Sequence, residues 1–310
     1  MIFSKIYSII IIGETMKSIF IYNPKSGNSK IKKNLDIVVG SLKEIYETVD
    51  VHESKSAEDI VNVVIEASNK YDRIIFAGGD GTFNNVVSGL ASCVKRPPLG
   101  YIPVGTCCDI AKNLGIPKKI KKALKIIKGD HIVHHDVGMI NDKYFVYVVG
   151  IGACTGTSYT TKQKSKKLFG RIAYIKDGIG EFFKTPLSHV KLTCNGNTIE
   201  ETVPLVLIMN TYSVGGIKFN RKCTLNDGLF DIVLVHNGVG KGRFNIIKFF
   251  LAGILGLRKK HSAVTMSAKE IHVEVEESLT WCVDGEEGPK GNVHIKNLHN
   301  HIQIITRDGE

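Results

Sequence analysis

The stretch Arg73-Ile74-Ile75-Phe76-Ala77-Gly78-Gly79-Asp80-Gly81-Thr82 decides the reading of this chain, because an apolar, strand-like run passes directly into three glycines around one carboxylate. Glycine permits positive φ and close backbone approach, so successive N–H groups at such a strand-to-helix turn can face phosphate oxygens. A bare carboxylate there would repel phosphate. The economical explanation for Asp80 is a bound Mg2+ whose charge reverses the repulsion.

Outward from that turn, short β-rich runs alternate with helical patterns. Ile19 to Tyr22 reads as a strand, and Ile31, Leu35, Val38, Leu42 and Ile45 fall at helical spacing. Thr48 to His52 reads as the next strand, followed by the helical set Ile60, Val61, Val64 and Ile65. Thr82 to Ala91 is predicted as the helix after the glycine turn, and Leu99 to Pro103 as a further strand. This alternation predicts a parallel sheet covered by helices, with ligands at the carboxyl ends of its strands. After about Asp136 strands follow one another: 131–139, 144–149, 190–194, 203–209 and 230–235, with a hairpin signal at Asn195-Gly196. The tail alternates through Ile271, Val273 and Val275, then Val293, Ile295, Ile302 and Ile304. An antiparallel second domain is expected. Leu168 to Phe183 supplies one helix of this half and Phe244 to Leu257 another. The latter is apolar but too short for a span, so it reads as core or as a membrane-facing surface.

At 310 residues, 43% hydrophobic and 23% charged, the chain is an ordinary globular protein with room for two domains. Its net charge of +11 is concentrated around residues 30–33, 118–128, 162–171 and 258–260. No aromatic residues alternate with these lysines as a single-strand stacking platform requires, which argues against nucleic acid and leaves solvated helix faces or attraction to anionic lipid. Seven cysteines without a CxxC pair speak against a disulfide framework or zinc finger and fit a reducing cytoplasm. Cys107, Cys108, His131, His134, His135 and Asp136 lack the spacing of transition-metal ligand pairs. Ile9 to Ile12 is far too short to span a bilayer, and Met16-Lys17 marks residues 1–15 as an extension.

Other turns acquire meaning beside the first. Asn23-Pro24-Lys25-Ser26-Gly27 alone is a connector, but after a parallel strand it offers a second phosphate-binding bend. Gly105-Thr106 is a third, and Asp109 reads either as a helix-start acid or as a site acid. Val283-Asp284-Gly285-Glu286 is a hairpin turn in isolation. Phosphoryl transfer to an alcohol needs a carboxylate to take the hydroxyl proton, and Glu286 is suited to that role. In Thr224 to Leu229, one acid flanked by backbone carbonyls makes Asp227 a candidate ligand for a hard cation.

NPKSG, GGDGTFNNVVSGL, PVGTCCDIAKNLGIP, DVG, Met209-Asn210 with Gly215-Gly216, LNDGLFDIVLV and VDGE occur in an order that resembles the diacylglycerol kinase catalytic family, from Lys17 to about Ile305. GGDGT alone also recurs in NAD kinases and phosphofructokinases; the ordered set is specific. The resemblance implies ATP held by Asn23, Pro24, Lys25, Ser26 and Gly27, by Thr48, by Gly79, Asp80, Gly81, Thr82, Phe83, Asn84 and Asn85, and by Thr106. It implies Glu286 as proton acceptor, Asp80, Asp109 and Asp136 as the acids organising catalytic Mg2+, and Thr224, Asp227 and Leu229 as a structural Mg2+ site. The implied fold is an NAD-kinase-like α/β domain, 16–137 plus 298–310, with a β-sandwich domain, 138–297.

Three departures from that pattern stand out. Cys108 replaces a common Asn, Asn85 replaces a frequent Glu, and Arg221-Lys222-Cys223 stands where a proline-containing run is usual. The expectation is an ATP-dependent lipid kinase acting on diacylglycerol, cytoplasmic and peripheral to anionic membrane. Another lipid alcohol such as a sphingoid base is the alternative acceptor. NPKSG and VDGE speak against an NAD kinase, and Cys108 alone encourages a non-catalytic nucleotide or lipid sensor. A homodimer is common among proteins of this kind.

Overall fold

The computed structural model of the chain describes residues 16–152, 187–214, 217–218, 224–237 and 263–307. The segments predicted as helices at 168–183 and 244–257, the extension 1–15, the basic clusters 162–171 and 258–260, Gly215-Gly216 and residues 221–223 lie outside them.

The first half follows the alternation read from the sequence. In order come β1 (Lys17–Tyr22), α1 (Leu35–Lys43), β2 (Thr48–Glu53), α2 (Ala57–Lys70), β3 (Arg73–Gly78), α3 (Asp80–Ala91), β4 (Leu99–Pro103), α4 (Asp109–Asn113) and α5 (Ile120–Gly129). β1 pairs in parallel with β2 and β3, and β3 with β4. Every residue of β3 after Arg73 is buried, as expected for a strand covered on both faces. The start of α2 is set by Ser56, whose hydroxyl accepts the Asp59 N–H at 3.0 Å. Its buried stripe is Ile60, Val64 and Ala67. α5 buries Ile120, Ala123, Leu124 and Ile127 and leaves Lys121, Lys122, Lys125 and Lys128 exposed, so its basic run is an amphipathic helix's outer face.

The remainder is β structure: β5 (His131–Ile140), β6 (Lys143–Phe145), β7 (Val148–Gly152), β8 (Ser188–Cys194), β9 (Asn197–Val203), β10 (Leu205–Met209), β11 (Ser213–Val214), β12 (Ile217–Lys218), β13 (Phe230–Val235), β14 (Ala263–Ala268), β15 (Glu270–Glu274), β16 (Thr280–Val283), β17 (Glu286–Lys290) and β18 (Val293–Thr306). Six strands form an antiparallel sheet in the order β14-β13-β10-β7-β16-β17. A larger sheet runs β2-β1-β3-β4-β18-β15-β8-β9, with β5 pairing to β18 and to β6. The architecture is thus α/β with a second, antiparallel sandwich-like half, as predicted. Tyr144 to Val149, read as one strand, divides into β6 and β7, and the Asn195-Gly196 turn carries positive φ at both residues.

The final alternating segment is one long strand, β18. Its register against β5 shifts between Leu298 and Ile302, where Asn300 takes a φ of 52°. On one side of this bulge Ile302, Ile304 and Ile305 enter the core built by α1 to α5 and β1 to β4; on the other, Val293 and Ile295 enter the core built around Trp281, Phe145 and Phe230. β18 therefore stitches two apolar cores together.

Candidate active site

Three bends meet at the carboxyl ends of β1, β3 and β4. The Asn23 N–H donates to the Ala77 carbonyl at 3.2 Å, and the Val104 and Gly105 N–H groups both donate to the Gly78 carbonyl, at 3.0 and 3.3 Å. The same carbonyl accepts the Tyr101 hydroxyl at 3.2 Å, and Tyr101 stacks on Phe76 with Phe83 edge-on. The glycine turn thus rests on an aromatic core. Glycine is required at two positions in particular. Gly27 has a φ of 58°, and a Cβ there would stand 1.9 Å from the Val104 carbonyl oxygen; a Cβ on Gly105 would stand 2.5 Å from the Gly79 α-carbon.

Beside these bends lies a cleft of about 430 Å3 lined by Asn23, Lys25, Ser26, Gly79, Gly81, Thr82 and Asn85, together with Ser54, Lys55, Ser56, Ala57 and Ile60. The amino ends of α2 and α3 both open onto it. Unpaired N–H groups and the positive ends of two helix dipoles, with the Lys25 and Lys55 side chains, make this an anion-binding surface. The Asn23 carboxamide oxygen accepts the Lys25 N–H at 3.0 Å and holds the first bend in shape.

The predicted nucleotide residues separate into those that meet here and those that do not. Pro24 and Gly27 shape the first bend. Phe83 is fully buried in the aromatic core and Asn84 is nearly so, so neither side chain lines the cleft. Thr106 is exposed on the third bend, where the Lys118 ammonium donates to its carbonyl at 2.5 Å. Thr48 is a correction. It is the first residue of β2 and pairs with Lys17, at the amino end of the parallel strands, whereas the cleft lies at their carboxyl ends. Ser54, immediately after β2, lines the cleft instead.

The acids are arranged by long-range contacts. The Asp80 carboxylate accepts the Ile110 N–H at 3.2 Å; burial, together with the nearby Asp109 charge, raises its pKa against the amides at the start of α4. Asp109 is buried, bonded to the Lys112 ammonium, and 3.5 Å from the Tyr147 hydroxyl. Cys108 is the N-cap of α4 in a left-handed conformation at φ 50°, ψ 52°. Asp136 has partners of its own. Its fully buried carboxylate accepts the Gly228 N–H (2.7 Å), the Asn300 N–H (2.7 Å) and His299 Nδ1–H (3.1 Å), so it locks the 224–229 turn to the β18 bulge.

Glu286 begins β17 directly after the Asp284-Gly285 turn, whose residues have φ of 49° and 88°. A Cβ built on Gly81 would lie 3.9 Å from Glu286 Oε1. The sandwich half therefore delivers this carboxylate to the amino end of α3, one residue from Asp80. Asp284, read only as a turn residue, anchors that delivery: its carboxylate accepts the N–H groups of Val146, Tyr147 and Val148 at 2.8, 3.0 and 2.8 Å. Burial pushes its pKa up to about 6 despite the three amides, and the neighbouring Glu286 charge adds to the rise. Asp227 is exposed, and its Oδ1 accepts the Leu229 N–H at 3.0 Å across Gly228 at φ 77°.

A dipole-lined cleft on an α/β half, approached by a carboxylate from an antiparallel half, offers the phosphate clamp and the proton acceptor that phosphoryl transfer to an alcohol requires. Residues 17–140 match the model of the diacylglycerol kinase catalytic domain, and residues 147–306 match that of the YegS C-terminal NAD kinase beta sandwich-like domain. A Bacillus subtilis (strain 168) protein named diacylglycerol kinase is 33% identical over 292 residues, 92% of this chain and 94% of its own length. One from Staphylococcus carnosus (strain TM300) is 30% identical with the same coverage. The crystal structure of a diacylglycerol kinase from Bacillus anthracis str. Sterne superimposes with a TM-score of 0.77 at 27% identity, over 95% of this chain and 98% of that one. Another solved chain from that organism gives 0.83 at 29%, over 94% and 96%. The chain belongs to the diacylglycerol kinase catalytic family and is a lipid kinase.

Proposed function

We propose that the chain transfers the γ-phosphate of ATP to the hydroxyl of diacylglycerol, forming phosphatidate. The observation that carries this reading is the approach of Glu286 to Gly81, which sets a proton acceptor against the anion-binding ends of α2 and α3. The triphosphate lies along the bends at Asn23–Gly27 and Gly79–Thr82, with Ser54, Lys55 and Asn85 completing the cleft. The lipid hydroxyl oxygen attacks the γ-phosphorus as its proton passes to Glu286, and the bond to the β–γ bridging oxygen breaks to release ADP.

The donor set fits a hard divalent cation, Mg2+, because Asp80 and Asp109 present only oxygen and Asp80 is raised in pKa by burial that a cation would offset. Those two residues would hold it, and it would neutralise charge on the phosphates. Asp227, with the carbonyls of Thr224 and Leu229, is assigned to a second, structural Mg2+. Residues 16–137 with 298–310 form the nucleotide half and 138–297 the lipid half. Among the described residues no helix is long and apolar enough to cross a membrane. Access to diacylglycerol is assigned to peripheral contact with anionic lipid at the cytoplasmic leaflet, on the strength of basic faces such as that of α5.

The test is purified protein with γ-labelled ATP, Mg2+ and mixed micelles of diacylglycerol, ceramide, sphingoid base or monoacylglycerol, with NAD as a separate acceptor. Label in phosphatidate, identified by mass spectrometry, is expected. Transfer to a different lipid alone would overturn the acceptor assignment, and transfer to NAD alone the whole reading.

A further inference from the structure

A second constellation lies away from the cleft, on an open face of the larger sheet. β15 and β18 run antiparallel with His272 directly opposite His294, and the two imidazoles stack with centroids 4.1 Å apart and planes 7° from parallel. Glu270 lies two residues before His272 and so on the same face; its Oε1 reaches diagonally to within 2.6 Å of His294 Nε2. One donor atom from each of the three side chains lies within 4.8 Å of the others. The two histidines line a hollow of about 500 Å3 whose walls also include Asn141 and Glu274, and none of these residues lines the nucleotide cleft.

We propose that Glu270, His272 and His294 form a binding site for a borderline divalent transition metal, with Zn2+ as the reference ion. Two imidazole nitrogens and one carboxylate are a ligand set that zinc accepts, leaving the fourth position to water, and imidazole selects against Mg2+ and Ca2+. All three ligands are carried by strands in fixed cross-strand register, which places them more firmly than a loop would. Glu270 and His272 are exposed; binding requires the two rings to tilt out of their parallel stack and the Glu270–His294 contact to give way to the ion. Glu270 and Glu274 supply local negative charge; Lys296 opposite Glu270 and Lys191, 2.7 Å from Glu274, moderate it. A metal here would pin β15 to β18, the strand that joins the two cores.

Isothermal titration of the full chain with Zn2+ at neutral pH, alongside thermal melts with and without Zn2+, tests the site. A saturable Zn2+ site is expected that His272→Ala and His294→Ala each weaken at least about tenfold, with a rise in Tm on adding Zn2+ that both variants lose. His189→Ala, which removes another exposed histidine paired with a glutamate, is expected to change neither readout. Absence of saturable binding to the wild type would overturn the proposal. So would binding that survives His294→Ala, or that falls equally in His189→Ala.

Discussion

Gly105→Ala perturbs the contact between two nucleotide bends with little else changed. The new Cβ would stand 2.5 Å from the Gly79 α-carbon, 3.3 Å from the Gly79 nitrogen and 3.2 Å from the Cys108 sulfur. Ordinary contact begins near 3.4 Å, so the bends must part by about 0.9 Å, and the nearest atom is backbone rather than the end of a flexible side chain. Gly105 is not at positive φ, so the effect comes from contact and not from backbone strain. Misplacing a positioning group by about 1 Å costs roughly 10²-fold in rate, or about 2.7 kcal/mol of transition-state stabilisation. Overpacking adds about 1–3 kcal/mol of lost stability, a few degrees in Tm. The assay is kcat/KM for ATP at saturating lipid, with a thermal melt to show that the variant is folded. Gly40→Ala is the control, since a Cβ there meets nothing within 4 Å and its helix should gain about 0.5–1 kcal/mol. A folded Gly105→Ala enzyme with kcat/KM within about threefold of wild type would refute the reasoning.

Three further outcomes follow from the geometry. Ser54→Ala should raise the KM for ATP by about two- to tenfold, the worth of one hydrogen bond, and Thr48→Ala should leave it unchanged; the reverse pattern would restore Thr48 to the site. Cys108→Asn should raise Tm with kcat retained, because a left-handed residue costs about 1–2 kcal/mol and Asn tolerates that conformation better than Cys; a lowered Tm contradicts this. Asp284 has a native pKa of about 6, above the ordinary 3.8, so the folded state holds its proton more tightly than the unfolded chain. Its contribution is present below about pH 4 and lost as pH rises to 6, amounting to up to about 3 kcal/mol. Urea unfolding of wild type and Asp284→Asn between pH 4.5 and 7 should show a steeper fall with rising pH in the wild type, and identical slopes would contradict the assignment.

The α/β half was legible because each of its strands and helices is a local pattern: the apolar run before Gly78 predicts a buried strand, and the glycines after it predict a bend at its carboxyl end. The same directional rule points to Ser54 rather than Thr48, since a parallel strand presents only its last residues to ligand. Thr48, implied by the resemblance, is the first residue of β2 and so lies at the opposite end of the strand. Lys118 was legible as part of a basic cluster but not as a tie to the third bend. Asp136 and Asp284 were not readable as anchors, because their partners are distant in the chain. Asp136 bonds Gly228 and Asn300, 92 and 164 residues away, and Asp284 bonds amides 136 to 138 residues earlier. Local spacing shows that Asp284-Gly285 makes a hairpin turn. Only the tertiary fold shows that the aspartate's carboxylate gathers three amides and aims the next acid at the cleft.

Glu286→Gln, assayed for phosphoryl transfer and separately for ATP affinity, addresses the role of that acid most directly. The residue is exposed at the start of β17, so the fold should be unaffected. Removing the proton acceptor should lower kcat by about 10²–10⁴-fold while the Kd for ATP stays within about threefold. Turnover within about tenfold of wild type, or a parallel loss of ATP binding, would contradict Glu286 as the base that activates the lipid hydroxyl.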